Sequence, residues 1–276
     1  MEHDAAPCLA TQFRREPQHD HPLMIKVGIS GANGTMGRLT IGAIDAVDDL
    51  TVGALYAPGR DQQDILGYSA SGDPEALSEC DVVIELTNPS ASDQNVPRWR
   101  DSGTDVLIGT SGYTTARVDA LRAAWSGLSS RCLVVPNFAI GAVLLMRFAE
   151  LASPHFESAE IVEMHHHDKP DAPSGTALHT AARMAAAREH RTHARGGEIA
   201  AGSLGGEVEG IPVHSLRMHG SIAHQEVLFG TVGQYLTLRH DTTDYQCFTP
   251  GVLLALREIG SLDAGVAVGL ERLLRV

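Results

Sequence analysis

Residues 25–37 read IKVGISGANGTMG, a short β-rich run that passes directly into three glycines at Gly31, Gly34 and Gly37. IKVGIS (25–30) has the length and branched apolar content of a buried strand, and RLTIGAIDAVDD beyond the glycines has helical periodicity. A glycine turn between strand and helix lets backbone N–H groups approach a phosphate at the positive helix end. The spacing is G-x-x-G-x-x-G, a variation on the dinucleotide fingerprint. A glycine-rich connection without a ligand is the alternative that this stretch alone leaves open.

Working outward, the strand pattern repeats at LTVGALY (50–56), CDVVIELT (80–87), DVLIGTSGY (105–113) and RCLVVPNF (131–138). TTARVDALRAAWSGL between the last two reads as an amphipathic helix with a threonine cap. Short buried strands alternating with helices predict an α/β fold whose N-terminal part is a doubly wound, Rossmann-like parallel sheet. After Asn137 the character changes to an apolar helix (AIGAVLLMRFAELASPHF), a strand (SAEIVEMH) and an alanine-rich helix (SGTALHTAARMAAAREH). Residues 195–212 read as an exposed glycine-rich loop. IPVHSLRMHG and HQEVLFGTVGQYLTLRHDT are spaced like an antiparallel meander, and PGVLLALREIGSLDAGVAVGLERLL returns to helix. The expected organisation is a disordered extension over 1–23, a dinucleotide-binding domain over 24–136 and 249–276, and a second α+β domain over 137–248. That second domain carries an open mixed or antiparallel sheet for substrate binding and oligomerisation.

Net charge is −13 over 276 residues, which opposes sequence-independent binding to nucleic acid or anionic lipid but permits a local cationic pocket. No apolar run reaches membrane-helix length. Cys8, Cys80, Cys132 and Cys247 form no C-x-x-C pair, so neither a zinc signature nor a disulfide framework is expected, and a reducing, cytoplasmic setting follows.

The stretch EMHHHDKPDAPSGTA (163–177) carries the chemistry. On a strand, His165 and His167 would share a side with His166 facing away. A catalytic zinc site needs a third protein ligand that nothing nearby supplies, so no metal is expected. The chain has 19 arginines but only two lysines, Lys26 and Lys169. A lysine among histidines suggests a need for a compact ammonium with a movable pKa. Ser174 is a candidate N-cap, and the amides of Gly175 and Thr176 then open a helix whose start attracts a carboxylate. Proton donors, a cation and an anion-binding helix start, set beside a nucleotide-binding half, suit reduction of a small carboxylate-bearing substrate by a nicotinamide. The second strand ends LYAPGR without the acidic residue that usually meets the adenine ribose. Arg60 is either a partner for a 2′-phosphate or a solvated loop residue, so NADH and NADPH both stay open.

With these residues in view, the sequence resembles the dihydrodipicolinate reductase (4-hydroxy-tetrahydrodipicolinate reductase) family of the diaminopimelate route to lysine over about 24–276. HHHDKPDAPSGTA matches that family's H-H-x-x-K-x-D-A-P-S-G-T signature. VGISGANGTMG, VLIGTSGY and VPNFAIGAVL match its cofactor-side motifs, most like the actinobacterial branch. The resemblance implies NADH or NADPH as cofactor, with Gly31, Ala32, Asn33, Gly34, Thr35 and Met36 cradling the pyrophosphate. Gly109, Thr110, Ser111, Pro136, Asn137 and Phe138 would line the nicotinamide. His165 and Lys169 would be the proton-donating pair, His166 a substrate contact, and Gly175 with Thr176 the carboxylate clamp. It also implies a homotetramer assembled through the open sheet. Another two-domain dehydrogenase, for instance one for an amino-acid semialdehyde, would share the glycine turn but not the full signature. A nucleotide sensor without catalysis is a reading of a different class. Asp168 in the spacer places an extra carboxylate beside Lys169, expected to favour the charged ammonium if the two lie close.

Overall fold

Strands buried on both faces read as continuous apolar runs. The structure, a computed structural model, describes residues 24–188 and 197–274. The extension 1–23 with Cys8, and the start of the expected loop at 195–196, lie outside the described residues. The first half runs β1 (Ile25–Ser30), α1 (Thr35–Asp45), β2 (Leu50–Tyr56), a small hairpin of β3 (Asp64–Ile65) and β4 (Tyr68–Ser71), then β5 (Val82–Glu85), α2 (Pro89–Ser102), β6 (Asp105–Ile108), α3 (Thr115–Ala124) and β7 (Arg131–Val134). In β5, Val82 and Ile84 join one core while Val83 joins another on the opposite face. β6 and β7 divide likewise, with Leu107 and Leu133 on one side and Val106, Ile108, Cys132 and Val134 on the other. Helices therefore cover both faces, as the apolar runs require. The expected threonine cap is present, Thr114 accepting from the Arg117 amide at 3.4 Å. Helix α2 was not expected; Asn88 caps it, accepting from the Ala91 amide at 3.1 Å.

The second half continues with α4 (Ile140–Ala152), β8 (Ser158–His165), α5 (Gly175–Ala187), β9 (Gly206–Val208), β10 (Ile211–Arg217), β11 (Ala223–Thr231) and β12 (Gln234–Thr242). These strands form a five-stranded sheet in the order β12-β11-β8-β10-β9. The expected meander is corrected here. β10 does not pair with β11 but lies parallel to β8, which sits between them and pairs antiparallel with β11. The physical reason is apolar content: Ile161 on β8 packs centrally with Val213 of β10 and Val227 of β11, over Ala177, Ala181 and Met184 of α5. The far face carries Val162, Met164, Leu216 and Leu228, the last two 41% and 36% exposed.

The chain then returns to the first sheet. α6 (Thr249–Glu258) packs Val252, Ala255 and Leu256 into the core shared with Ile41 and Ile44 of α1. The tail is not helical throughout: β13 (Gly265–Val268) adds a parallel edge strand beside β7. Glycines flanking a short Val-Ala-Val run disfavour helix there, and β7 offers an open edge. The completed eight-stranded sheet has the order β13-β7-β6-β5-β1-β2-β4-β3, parallel except for β3. Among the described residues no helix is long and apolar enough to cross a membrane. Cys80 and Cys132 are buried, unpaired thiols, and burial pushes the Cys132 thiol upward.

Candidate active site

The glycine turn leaves the carboxyl end of β1 and is stitched to β2. Both the Gly31 and Ala32 amides donate to the Tyr56 carbonyl, at 3.0 and 3.1 Å, and Gly34 donates back to the Gly31 carbonyl at 3.0 Å. These three amides are therefore already bonded within the fold. The donors left at the start of α1 are those of Thr35, Met36 and Gly37, since Gly34 is the N-cap residue and no side chain caps the helix. An anion such as a pyrophosphate fits such an end. Two glycines are required by shape. Gly31 sits at φ 84°, and a Cβ on Gly37 would lie 2.3 Å from the Gly31 carbonyl oxygen. At the end of β2, Tyr56 stands where the ribose carboxylate is usual, while Asp61 is occupied by the Gly72 amide at 3.0 Å. Arg60 is exposed.

Beneath the turn, Glu85 is fully buried at the end of β5. It accepts from Ser30 Oγ at 2.8 Å, the Thr87 amide at 2.7 Å and the Thr87 hydroxyl. Thr110 is buried, its hydroxyl directed at the Glu85 carbonyl at 3.3 Å. It ties strand ends together and does not line the cleft. Ser111 is exposed beside it.

A cleft of about 500 Å³ opens between the two sheets. From the first half Thr35, Met36, Gly109, Pro136, Asn137 and Phe138 line it; from the second come His165, Ser174 and Thr176. The two groups were predicted from separate motifs, and the fold brings them to one space. Gly31, Ala32, Asn33, Gly34, His166, Lys169 and Gly175 flank this lining without forming it. Asn137 bridges the halves, its Nδ2 donating to Thr176 Oγ1 at 3.4 Å. Ser174 is the N-cap of α5 as expected, accepting from the Ala177 amide at 3.2 Å. The first-turn amides of Gly175 and Thr176 remain open to a ligand.

β8 ends at His165, so the alternation expected to put His165 and His167 on one side does not continue. His165 Nδ1 lies 2.5 Å from Glu163 Oε2. His167 instead packs against His219 in a tilted arrangement, with ring centroids 3.8 Å apart, and pairs with Asp168 at 2.9 Å. Asp168 is thus not the lysine's partner. Lys169 Nζ donates to Asp171 Oδ1 at 2.6 Å, and that ammonium holds the Asp171 carboxyl below the usual range. Among the described residues no group of three or more His, Cys, Asp or Glu side chains is placed to hold a metal ion.

Sequence reasoning missed Glu163, Arg217 and His240. Glu163 lies two residues before His165, so the same period of two that was applied to the histidines places it on their side. Burial would raise its pKa, but hydrogen bonds from His165, Arg217 and Ser215 outweigh that and hold it at about 2. His240 of β12 lines the cleft, and burial pushes its imidazole pKa down. Its approach to the α4 start, where a Cβ on Gly141 would be 2.6 Å from its ring, carried no sequence signal.

A parallel sheet with a glycine turn, a second mixed sheet, and one cleft between them define a two-domain nicotinamide-dependent oxidoreductase. The family profiles "Dihydrodipicolinate reductase, N-terminus" and "Dihydrodipicolinate reductase, C-terminus" match residues 25–138 and 141–274. The chain belongs to the dihydrodipicolinate reductase family. It is 44% identical over 255 residues to the 4-hydroxy-tetrahydrodipicolinate reductase of Mycolicibacterium vanbaalenii, covering 91% of this chain and 99% of that protein. The corresponding protein of Nocardia farcinica is 42% identical over 257 residues, covering 90% and 98%. The solved structure of dipicolinate-bound dihydrodipicolinate reductase from Paenisporosarcina sp. TG-14 superposes with a TM-score of 0.82 at 34% identity, covering 91% of this chain and all of that one. A Mycobacterium smegmatis amine dehydrogenase, 12% identical with a TM-score of 0.60, shares the fold. The chain is accordingly an NAD(P)H-dependent reductase of the diaminopimelate route to lysine.

Proposed function

We propose that the cleft reduces 4-hydroxy-tetrahydrodipicolinate to tetrahydrodipicolinate with the residues that line it from both sheets. One observation carries this reading: Thr35, Met36, Gly109 and Phe138 share a single cleft with His165 and Thr176. Residues 24–136 with the returning segment from 249 serve the nucleotide, and 137–248 serve the substrate. The Thr35 and Met36 amides hold the pyrophosphate. Gly109, Pro136 and Phe138 give the nicotinamide a largely apolar wall that excludes water. Water is first lost from the 4-hydroxyl carbon to leave the unsaturated dihydrodipicolinate ring, and NADH or NADPH bound there would supply the hydride for its C4.

Opposite, the Gly175 and Thr176 amides and the Thr176 hydroxyl grip a carboxylate of the diacid. Because Thr176 Oγ1 already accepts from Asn137, its own proton is available to the ligand. Lys169, steadied by Asp171, adds positive charge at the rim, and His166 lies on the same edge. His165 reaches the cleft and protonates the ring carbon next to the reduced position as the enamine develops. General acid catalysis contributes roughly 10²–10⁴ in rate, or about 3–5.5 kcal/mol of barrier. The exposed apolar residues on the far face of the second sheet suit assembly into a homotetramer, which light scattering of the purified protein measures. Buried unpaired thiols suit a reducing cytoplasm.

The test is consumption of NADH and of NADPH, measured side by side, with substrate generated in the cuvette by dihydrodipicolinate synthase. Oxidation of either cofactor that depends on the synthase supports the assignment. Failure with both cofactors refutes it.

A further inference from the structure

Glu163 and His165 face the same way on β8, and Glu163 is 0% exposed. Besides the bond from Ser215, its carboxylate gathers four donor contacts. Oε2 meets His165 Nδ1 at 2.5 Å and Arg217 Nη1 at 3.1 Å. Oε1 meets Arg217 Nη2 at 3.0 Å and the Ser174 amide at 3.3 Å. Arg217 stands opposite His165 on the parallel strand β10, and its Nη2 also donates to the Asp171 carbonyl at 2.6 Å. One buried carboxylate therefore joins the imidazole, the cap of α5 and, through the guanidinium, the loop that bears Lys169.

An ionised carboxylate only accepts, so the imidazole nitrogen facing it must carry a hydrogen. That assigns the proton to Nδ1 and leaves Nε2 as the nitrogen available to the cleft. We propose that Glu163 is the positioning residue of this reductase. It locks His165 so that Nε2 alone exchanges a proton with the substrate, and with Arg217 it sets that ring against the helix start and the lysine loop. In the step it serves, the enamine electron pair forms a C–H bond with the proton on Nε2. The N–H bond breaks, its electron pair stays on Nε2, and His165 is left as the neutral Nδ1–H tautomer that Glu163 already holds. Arg217 cannot replace Glu163, because it has no acceptor.

The inference rests on the reading of His165 as the acid, so His165→Gln is the control. The full chain is labelled with ¹⁵N-histidine, and the His165 signals are identified by their loss in His165→Gln. The wild type is expected to show the Nδ1–H tautomer when neutral, and Glu163→Gln a mixture with Nε2–H. In the coupled assay Glu163→Gln should lower kcat by between about 10- and 10⁴-fold, the range for removing an orienting partner behind a functional histidine. KM for the cofactor should stay within about twofold, since the nucleotide half is untouched. Glu163→Gln takes the counter-charge from the part-buried Arg217 guanidinium, so the double variant with Arg217→Leu is made as well. It should restore a wild-type circular dichroism spectrum without restoring turnover. A wild-type Nε2–H tautomer overturns the proposal whether or not either variant folds. So does near-normal kcat in Glu163→Gln while His165→Gln is inactive. If His165→Gln itself turns over normally, it is the assignment of the acid that fails.

Discussion

Replacing Gly37 by alanine isolates how the nucleotide end of the cleft is built. The new Cβ would stand 2.3 Å from the Gly31 carbonyl oxygen, 2.7 Å from Ala32 Cα and 2.9 Å from Ala32 C. All three are backbone atoms, and the turn is pinned because the Gly31 and Ala32 amides are bonded to Tyr56 of β2. Relief has to come from α1 backing away by roughly 1 Å to restore ordinary van der Waals distance. That displaces the Thr35 and Met36 amides from the anion they serve. Overpacking of this kind costs about 1–3 kcal/mol. If about 1.4–2.7 kcal/mol of it falls on the bound state, cofactor affinity drops roughly 10- to 100-fold. Gly42→Ala in the same helix is the control, since nothing lies within 4 Å of its added Cβ. It should leave affinity unchanged and raise helix stability by up to about 1 kcal/mol. Fluorescence titration with NADH and NADPH, with thermal melts of each variant, measures both effects. If Gly37→Ala binds cofactor within twofold of wild type, or Gly42→Ala weakens binding equally, the close-approach argument is wrong.

Three further outcomes are expected. Lys169→Ala should lower turnover by roughly 10² while cofactor affinity stays near wild type; steady-state kinetics with a binding titration checks it, and normal turnover removes the ammonium from the chemistry. Thr176→Val keeps the shape but loses the hydroxyl donor, so KM for substrate should rise by an amount corresponding to about 1–3 kcal/mol, whereas an unchanged KM places the carboxylate elsewhere. The third concerns acid. Glu163 is held at about 2 against an ordinary 4.5, so its stabilisation is fully present above pH 4.5 and fades as pH falls toward 2. At roughly 1.4 kcal/mol per pH unit of displacement this amounts to about 3 kcal/mol. Urea melts should show the gap between wild type and Glu163→Gln narrowing from pH 5 to 3, and a constant gap contradicts the linkage.

Local signals predicted the elements well where one segment contains its own instructions. The glycine turn, the serine cap of α5, the threonine cap of α3 and the bounds of β2 and β8 all follow from neighbouring residues. Reading failed where partners come from far along the chain. The β10 strand was expected to pair with β11, but strand pairing depends on which apolar faces stack over α5, and that information is not local. The tail at 265–268 was expected to be helical because apolar content alone does not distinguish a short edge strand from a helix. Asp168 was expected to favour the charged Lys169 if the two lay close, yet the loop gives that lysine to Asp171 and Asp168 to His167.

From the order of its residues alone, this protein reads as a nicotinamide-dependent reductase with a histidine, a lysine and a capped helix start as candidate site groups, because those motifs are short and self-contained. Only the tertiary structure decided that Gly31 and Ala32 spend their amides on Tyr56, and that His165 is held by a buried glutamate clamped from another strand. The reason is burial: a charge taken out of water has to find its partners within reach, and reach is set by the packing of distant strands rather than by position along the chain.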